Sequence, residues 1–267
     1  MNKIEKKMVD ILRDLKENHG AISVRAEFEA EGTKLEELLR LKEISMLAGL
    51  GLTLKIGGCE SIRDMLEAHT VGVNYIVAPM VESPYSLKKY LQAVEKIFPA
   101  NELENTEVLC NIETITACMN IDKMLEIPEI NLLKGLVIER VDLCFSLGKS
   151  EKDINNEEIN NIVRETIKKA KKRNLLCTIG GGVSAYSLDF FKSIPDGYLN
   201  RYETRKVCFS FNEAIKSEPE KGILKALGFE LMWLKNKVSY FNKIHESDMA
   251  RMSLIETRYL REINALI

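Results

Sequence analysis

The sequence predicts an α/β fold of the (β/α)8 TIM-barrel type, and three observations indicate it. Short apolar strand patterns alternate with amphipathic helical patterns from residue 21 onward, an order typical of a parallel sheet covered by helices. So many units in one chain of 267 residues favour a closed barrel over an open doubly wound sheet. No linker, low-complexity tract or repeat divides the sequence. We therefore expect one barrel domain over residues 1–267, with an N-terminal helix over 1–19 and a C-terminal helical extension from about residue 211 to 267.

The elements follow from hydrophobic spacing. Helical periodicity over 1–19 ends near Gly20, and Pro79 suits the end of a strand better than its middle. We predict strands over 21–28, 52–56, 75–81, 108–112, 136–138 and 176–179. We predict helices over 35–48, 61–69, 84–97, 115–126 and 155–173.

The last strand signal falls between Tyr198 and Phe209. Residues 197–209 hold either two short strands or the single strand of an incomplete barrel. Helical patterns then cover 211–216, 222–235 and a long stretch from about residue 238 to the end. Such a final helix packs either on a neighbouring subunit or on its own barrel.

Composition excludes several functions. The chain has 38 basic and 40 acidic residues and a net charge of −2, so no electrostatic footprint for nucleic acid is present. No apolar run is long enough to span a bilayer, and the charged N-terminus lacks a signal-peptide core, so we expect no membrane partner. The 6 cysteines form no CxxC pair, which favours buried thiols in a reducing cytoplasm over a zinc site.

Charged residues follow the predicted strands, where the active site of a barrel lies. These residues are Glu27, Glu29, Lys55, Glu82, Glu113, Arg140, Asp142, Arg201, Glu203 and Arg205. The four cations among them suit a carboxylate or phosphate on a substrate. Gly180, Gly181 and Gly182 follow the sixth strand, where they either bring backbone N–H groups to an anion or turn the chain tightly.

Two of these carboxylates come after consecutive strands. Glu113 follows strand 108–112, and Asp142 lies a few residues beyond strand 136–138. The carboxyl ends of neighbouring parallel strands meet at one edge, so the pair can hold Mg²⁺ or Mn²⁺ through oxygen ligands. The alternative is structural: Glu113 interacts with the dipole of the following helix, and Asp142 caps a short helical turn.

Three segments resemble motifs of one family. GVNYIVAPMVES at 72–83, IET at 112–114 with NID at 120–122, and VIERVDLCFSLG at 137–148 occur in the order and spacing of the HpcH/HpaI aldolase and citrate lyase β-subunit family. The resemblance covers residues 50–150 well. It implies a barrel of the phosphoenolpyruvate/pyruvate type and a homo-oligomer.

The resemblance implies a divalent-metal-dependent carbon–carbon lyase or aldolase, with Glu113 and Asp142 as ligands of Mg²⁺ or Mn²⁺. The metal would stabilise the enolate of a 2-oxo acid. Lys55 falls where family members carry a substrate-contacting arginine, and Arg140 stands with it as the second predicted catalytic residue. We expect the substrate-binding residues to be Glu27, Glu82, Val141, Arg201 and Arg205.

The sequence also departs from the family. Glu139 and Arg140 replace the usual Gly-Pro, and the Glu-His pair of the aldolase branch is missing after the first strand. Arg25, Arg140, Arg201 and Arg205 would suit a more anionic substrate, such as a phosphorylated sugar or a sugar acid. Two alternatives stay open: a phosphoenolpyruvate-using synthase or mutase, and an inactive barrel that serves as a binding or assembly subunit.

Overall fold

A computed structural model describes residues 1–101 and 103–265, and it confirms the predicted mixed α/β barrel. Within these residues, eight strands close in chain order. The strands are β1 Ala21–Glu27, β2 Gly51–Lys55, β3 Tyr75–Ala78, β4 Glu107–Ile112, β5 Gly135–Glu139, β6 Leu176–Gly180, β7 Arg201–Glu203 and β8 Val207–Ser210. The helices are α1 Lys3–His19, α2 Leu35–Leu47, α3 Ile62–Val71, α4 Pro84–Ile97, α5 Ile115–Met124, α6 Arg140–Ser146, α7 Glu157–Lys171, α8 Leu188–Lys192, α9 Phe211–Ala214 and α10 Pro219–Asn264. The predicted C-terminal extension includes residues 266 and 267, which lie outside the described residues.

The last two strands form a hairpin. Strands β1 to β7 pair in parallel, whereas β8 is antiparallel to both β7 and β1. Only residues 204–206 connect β7 to β8, and a parallel pair needs a much longer crossover. Residues 197–209 therefore contain two short strands, as one of the two predictions had it. The tip of the hairpin lies at the carboxyl end of β7, on the side where the other strands of the barrel also end.

The inside of the barrel is polar at both ends. Near the amino ends of the strands, Arg201 on β7 donates to both carboxylate oxygens of Glu107 on β4, at 2.8 and 2.9 Å, and lies over the ring of Tyr75. Val77, Leu109 and Val137 form a small separate apolar cluster beside Tyr75. The outward side chains of the strands join the helices in the main core.

Helix α10 joins two helical segments that the sequence analysis placed separately. It runs through 46 residues, because neither proline nor glycine occurs between Phe229 and Asn264. Its first half packs on α1 and buries Phe229 and Trp233. From residue 242 to 262 its side chains are exposed. Among the described residues, no helix combines the length and apolar character needed to cross a membrane.

Candidate active site

A cavity of about 460 Å³ opens at the carboxyl ends of the strands. Its wall carries more acidic than basic side chains. The carboxylates are Glu27, Glu29, Glu139, Asp142, Glu151, Glu203 and Glu230, and the cations are Arg25, Lys55 and Arg205. The backbone of Gly181 and Gly182 and the side chains of Val141 and Ile154 complete much of the wall.

Arg25 holds three of the carboxylates together. Its Nη2 lies 2.9 Å from Glu203, 3.4 Å from Glu27 and 3.4 Å from Glu139. All four side chains are buried, and they project inward from β1, β5 and β7. Burial alone would lower the pKa of Arg25, but the three carboxylates outweigh it and raise the pKa above its usual value. Arg25 therefore stays charged, and its Nη2 is occupied by the three carboxylates, whereas its Nε has no hydrogen-bond partner among the described residues.

Burial raises the pKa of Glu203 to about 8, against the opposing effect of Arg25. Glu139 and Glu27 add to this rise through their negative charge. A proton held by Glu203, together with the Arg25 guanidinium, balances most of the negative charge in this cluster.

Lys55 lies at the end of β2, 3.0 Å from Glu29 and 3.7 Å from Glu113. Burial would lower its pKa, but Glu113, Glu27 and Glu139 raise it overall. Lys55 is therefore an ammonium ion that binds and polarises oxygen atoms. A lysine that attacks a carbonyl needs the opposite shift.

The carboxylate of Glu113 is held in a fixed orientation. Its Oε1 accepts the Met80 backbone N–H at 2.6 Å, and its Oε2 accepts Asn111 Nδ2 at 2.8 Å. Met80 has a φ of 52°, a left-handed conformation that is uncommon for a residue other than glycine, and this aims its N–H at Glu113. Thr114, and not Glu113, caps α5. Burial raises the pKa of Glu113.

Asp142 lies in the first turn of α6 and faces the cavity. In the part of the chain that the structure describes, its carboxylate has no hydrogen bond or ion pair. The helix does not use it as its N-cap, which is Glu139. Burial raises the pKa of Asp142. A partly buried carboxylate without a partner is suited to bind a ligand or a cation.

Arg140 is directed away from the cavity. Its guanidinium donates to the backbone carbonyls of Gly180 and Gly181 and to Ser187 Oγ at 3.0 Å, and it lies 5.3 Å from the ring of Phe191. Burial lowers its pKa to about 10. The structure thus gives Arg140 a role in holding the glycine loop and does not bring it into the cavity, where the sequence analysis expected it.

The glycine loop makes room for Glu139. A Cβ on Gly180 would lie 2.7 Å from Glu139 Oε1, and one on Gly181 would lie 2.6 Å from the Arg140 backbone nitrogen. Gly181 also has a φ of 73°. Of the two expectations for this loop, the structure shows the tight turn, and the lack of space for a Cβ beside Glu139 explains the glycines. Binding of an anion by the backbone N–H groups stays a prediction.

Of the five predicted substrate-binding residues, three line the cavity and two do not. Glu27, Val141 and Arg205 line the cavity. Arg201 lies at the opposite end of the barrel with Glu107, because it begins β7 and does not end it. The fifth, Glu82, accepts the hydroxyl of Thr114 at 2.6 Å and does not line the cavity.

Sequence reasoning did not select Glu139 as a site residue, and it listed Glu203 among the charged residues at the strand ends without giving it a role. The available signal was their position: each is the last residue of its strand and points inward. Lys206 was also missed. It and Arg205 stand at the hairpin tip and both pair with Glu31.

Comparison with known proteins identifies the family. A family model described as HpcH/HpaI aldolase/citrate lyase matches residues 54–188. The chain therefore belongs to the HpcH/HpaI aldolase/citrate lyase family, as the motifs predicted. Membership indicates a lyase-type activity, and enzymes of this family generally depend on a divalent metal and bind small anionic substrates.

Solved structures show the same fold at low sequence identity. An HpcH/HpaI aldolase from Desulfitobacterium hafniense is 13% identical, with a TM-score of 0.60 over 80% of this chain and 86% of that one. A protein of the family from Burkholderia cenocepacia is 12% identical, with a TM-score of 0.55 over 70% and 89%. The citrate synthase SbnG is 14% identical, with a TM-score of 0.59 over 87% and 90%. No curated protein matches the chain.

The residues present suit the divalent cation that the family implies. Glu113 and Asp142 offer hard oxygen donors, and the carboxylate of Asp142 faces the cavity without a partner among the described residues. In that same part of the chain, no three His, Cys, Asp or Glu side chains form a complete ligand group. Oxygen atoms of substrate and water would therefore have to supply the rest of the coordination shell.

Proposed function

We propose that the protein is a divalent-metal-dependent carbon–carbon lyase or aldolase that acts on a 2-oxo acid. The observation that carries this proposal is the presence, in a barrel of this family, of two carboxylates after neighbouring strands. Glu113 follows β4 and is held in a fixed orientation, and Asp142 follows β5 and lines the cavity without a hydrogen bond or ion pair among the described residues. Mg²⁺ or Mn²⁺ held there would act as a Lewis acid on the oxygens of the 2-oxo acid.

The protein's own groups would do the rest of the work. Met80 and Asn111 fix the Glu113 carboxylate, which lowers the entropic cost of ligand binding. The Lys55 ammonium provides a fixed positive charge beside Glu113, where negative charge develops on the substrate oxygen during enolate formation. Family members carry an arginine at this position, which can form two parallel hydrogen bonds to an anion, whereas Lys55 offers a single point charge.

The cavity supports a 2-oxo acid better than a sugar acid with additional negative charges. Arg25 is occupied by three carboxylates, Arg140 by the glycine loop and Arg201 by Glu107. Arg205 pairs with Glu27 and Glu31. Lys55 and the metal remain as the groups that would bind one substrate carboxylate and its neighbouring carbonyl.

We also propose a homo-oligomer of a cytoplasmic protein. Exposed side chains at alternating three- and four-residue spacing run along α10 and form a seam typical of helix–helix packing. These are Leu224, Leu227, Leu231, Leu234 and Val238, of which the least exposed is still 47% accessible. A second copy of the chain is the occupant we propose for this seam.

Substitution of the two carboxylates tests the function. Glu113→Gln and Asp142→Asn should each abolish metal-dependent formation of the pyruvate enolate while leaving the circular dichroism spectrum unchanged. Activity equal to wild type in both variants would contradict the proposal. If phosphoenolpyruvate but not pyruvate is consumed, the barrel is a synthase or mutase. If calorimetry shows no Mg²⁺ or Mn²⁺ binding, even with oxalate, the barrel is a binding or assembly subunit.

A further inference from the structure

The cluster around Arg25 contains two buried carboxyl groups that have no part in the proposed metal site. Glu139 and Glu203 both line the cavity, and an oxygen of each lies close to Nη2 of Arg25, at 3.4 and 2.9 Å. Glu203 Oε1 and Glu27 Oε2 are buried and accept no hydrogen bond of regular geometry from the described residues, although each lies near an arginine. A buried carboxyl group that is incompletely hydrogen-bonded and borders a substrate cavity is suited to proton transfer.

Titratable groups from several elements surround this pair. Arg25 and Glu27 interact with it from β1 and Lys55 from β2, and Glu113 after β4 and Asp142 on α6 interact with Glu139. The Cys208 thiol on β8 lies near Glu203 and is neutral, because burial raises its pKa. Arg25 can compensate only one of the three carboxylates that contact it. The remaining negative charge favours keeping one proton on this pair, because an additional buried charge without compensation is strongly unfavourable.

We propose that the two carboxyl groups Glu139 and Glu203, which share the Arg25 guanidinium and line the cavity, are the acid–base pair of this active site. This inference rests on the proposed function. Glu139 replaces the glycine of the family's Gly-Pro turn, and the pair takes the place of the histidine base that the chain lacks. Burial raises the pKa of Glu203 to about 8, which leaves the pair with one proton at neutral pH.

A pair with one proton can both accept and donate. In cleavage of a 4-hydroxy-2-oxo acid, the ionised carboxylate takes the proton of the C4 hydroxyl. The O–H electrons form the aldehyde carbonyl, the C3–C4 bond breaks, and its electrons form the enolate of the 2-oxo acid. The pair then returns one proton to C3, so that atoms and charge balance and the pair regains its initial state.

Other groups are less suited to this role. Lys55 is held protonated by its neighbours, and Glu113 and Asp142 are the proposed metal ligands. In the described part of the chain, none of the histidines lines the cavity. Arg205 contacts Glu27 at 3.4 Å and closes the far side of the cluster.

Two reactions that form the same enolate distinguish a residue that acts as a base from one with a purely structural role. Exchange of the pyruvate methyl protons in D₂O, followed by NMR with Mn²⁺ or Mg²⁺ present, requires a base to remove a proton from C3. Decarboxylation of oxaloacetate forms the same enolate by loss of CO₂ and needs no base. Glu203→Gln and Glu139→Gln should lower the exchange rate by about 100-fold or more and change decarboxylation by less than about threefold.

The control is Glu107→Gln, which removes a carboxylate that pairs with Arg201 at the other end of the barrel, outside the site. It should leave both rates within about threefold of wild type. Exchange that persists in Glu203→Gln and Glu139→Gln, or equal loss of exchange and decarboxylation, would overturn the acid–base assignment alone. Absence of both reactions in the wild-type protein would overturn the proposed function and this inference with it.

Discussion

The Nζ of Lys55 lies 3.7 Å from Oε2 of Glu113, and both side chains are almost fully buried. Lys55 therefore compensates the charge of Glu113 when no metal is bound. A divalent cation at Glu113 would add positive charge close to Lys55. The same contact thus stabilises the metal-free protein and opposes binding of the metal.

Replacing Lys55 should separate these two effects. We expect Lys55→Met to lower the free energy of unfolding of the metal-free protein by about 1–3 kcal/mol, because Glu113 and Glu29 lose a buried partner. Added Mn²⁺ should restore more stability to this variant than to wild type. Thermal unfolding with and without Mn²⁺ measures both. Lys55→Arg keeps the charge and serves as the control; equal Mn²⁺ responses in Lys55→Met and wild type would contradict the expectation.

The Asp142 carboxylate should lower the free energy of unfolding of the metal-free protein. Burial raises the pKa of its carboxyl, so folding disfavours the charged form, and the stability penalty grows as pH rises above the unfolded pKa of 3.8. We expect Asp142→Asn to stabilise the metal-free protein at neutral pH by up to about 1 kcal/mol and to remove stabilisation by Mn²⁺. Chemical denaturation with and without Mn²⁺ tests this. If the Asp142→Asn variant is less stable than wild type and still responds to Mn²⁺, the expectation is contradicted.

Glu203 should make stability fall with rising pH. Its pKa is about 8 in the folded protein and 4.5 in a free side chain, so between these values the folded state holds a proton that the unfolded state has lost. The free energy of unfolding of wild type should therefore fall more steeply from pH 5 to 8 than that of Glu203→Gln, by up to about 1.4 kcal/mol per pH unit. Parallel denaturation series at several pH values give the difference. Identical slopes would show that Glu203 is ionised throughout.

Gly180 and Glu139 should be coupled. A Cβ at Gly180 would meet the Glu139 carboxylate at 2.7 Å, so we expect Gly180→Ala to destabilise the fold by about 1–3 kcal/mol. Glu139→Gly in the same chain should recover most of this loss in a double-mutant cycle. The matched control is Gly58→Ala, whose Cβ would lie 3.5 Å from Ser61 Oγ in ordinary contact. Additive effects at positions 139 and 180 would contradict the coupling.

The sequence predicted the fold and the positions of the central carboxylates. Alternating patterns and strand ends were enough to place Glu113, Asp142 and Lys55 at one end of a barrel, and the structure shows them there. The partners of the arginines could not be predicted in the same way. Whether Arg25 or Arg201 reaches the cavity depends on where each strand begins relative to its neighbours. It also depends on which charged side chains meet across the inside of the barrel.

Arg140 shows a second limit. It is the first residue of α6, directly after the end of β5. At such a junction neither the alternation of side chains along a strand nor the helical repeat of 3.6 residues predicts where the side chain points. Its position is fixed by the carbonyl groups of Gly180 and Gly181, which lie 40 and 41 residues away in the chain. Contacts of this kind arise only when β5 and β6 are paired.

The most direct test of the metal site is a crystal grown with Mn²⁺ and oxalate, a planar mimic of the pyruvate enolate. We expect an anomalous peak between the carboxylates of Glu113 and Asp142, with oxalate oxygens completing the shell at about 2.0–2.3 Å and one of them near Lys55 Nζ. Oxalate bound without Mn²⁺, or Mn²⁺ bound to carboxylates other than these two, would contradict the proposed enolate chemistry.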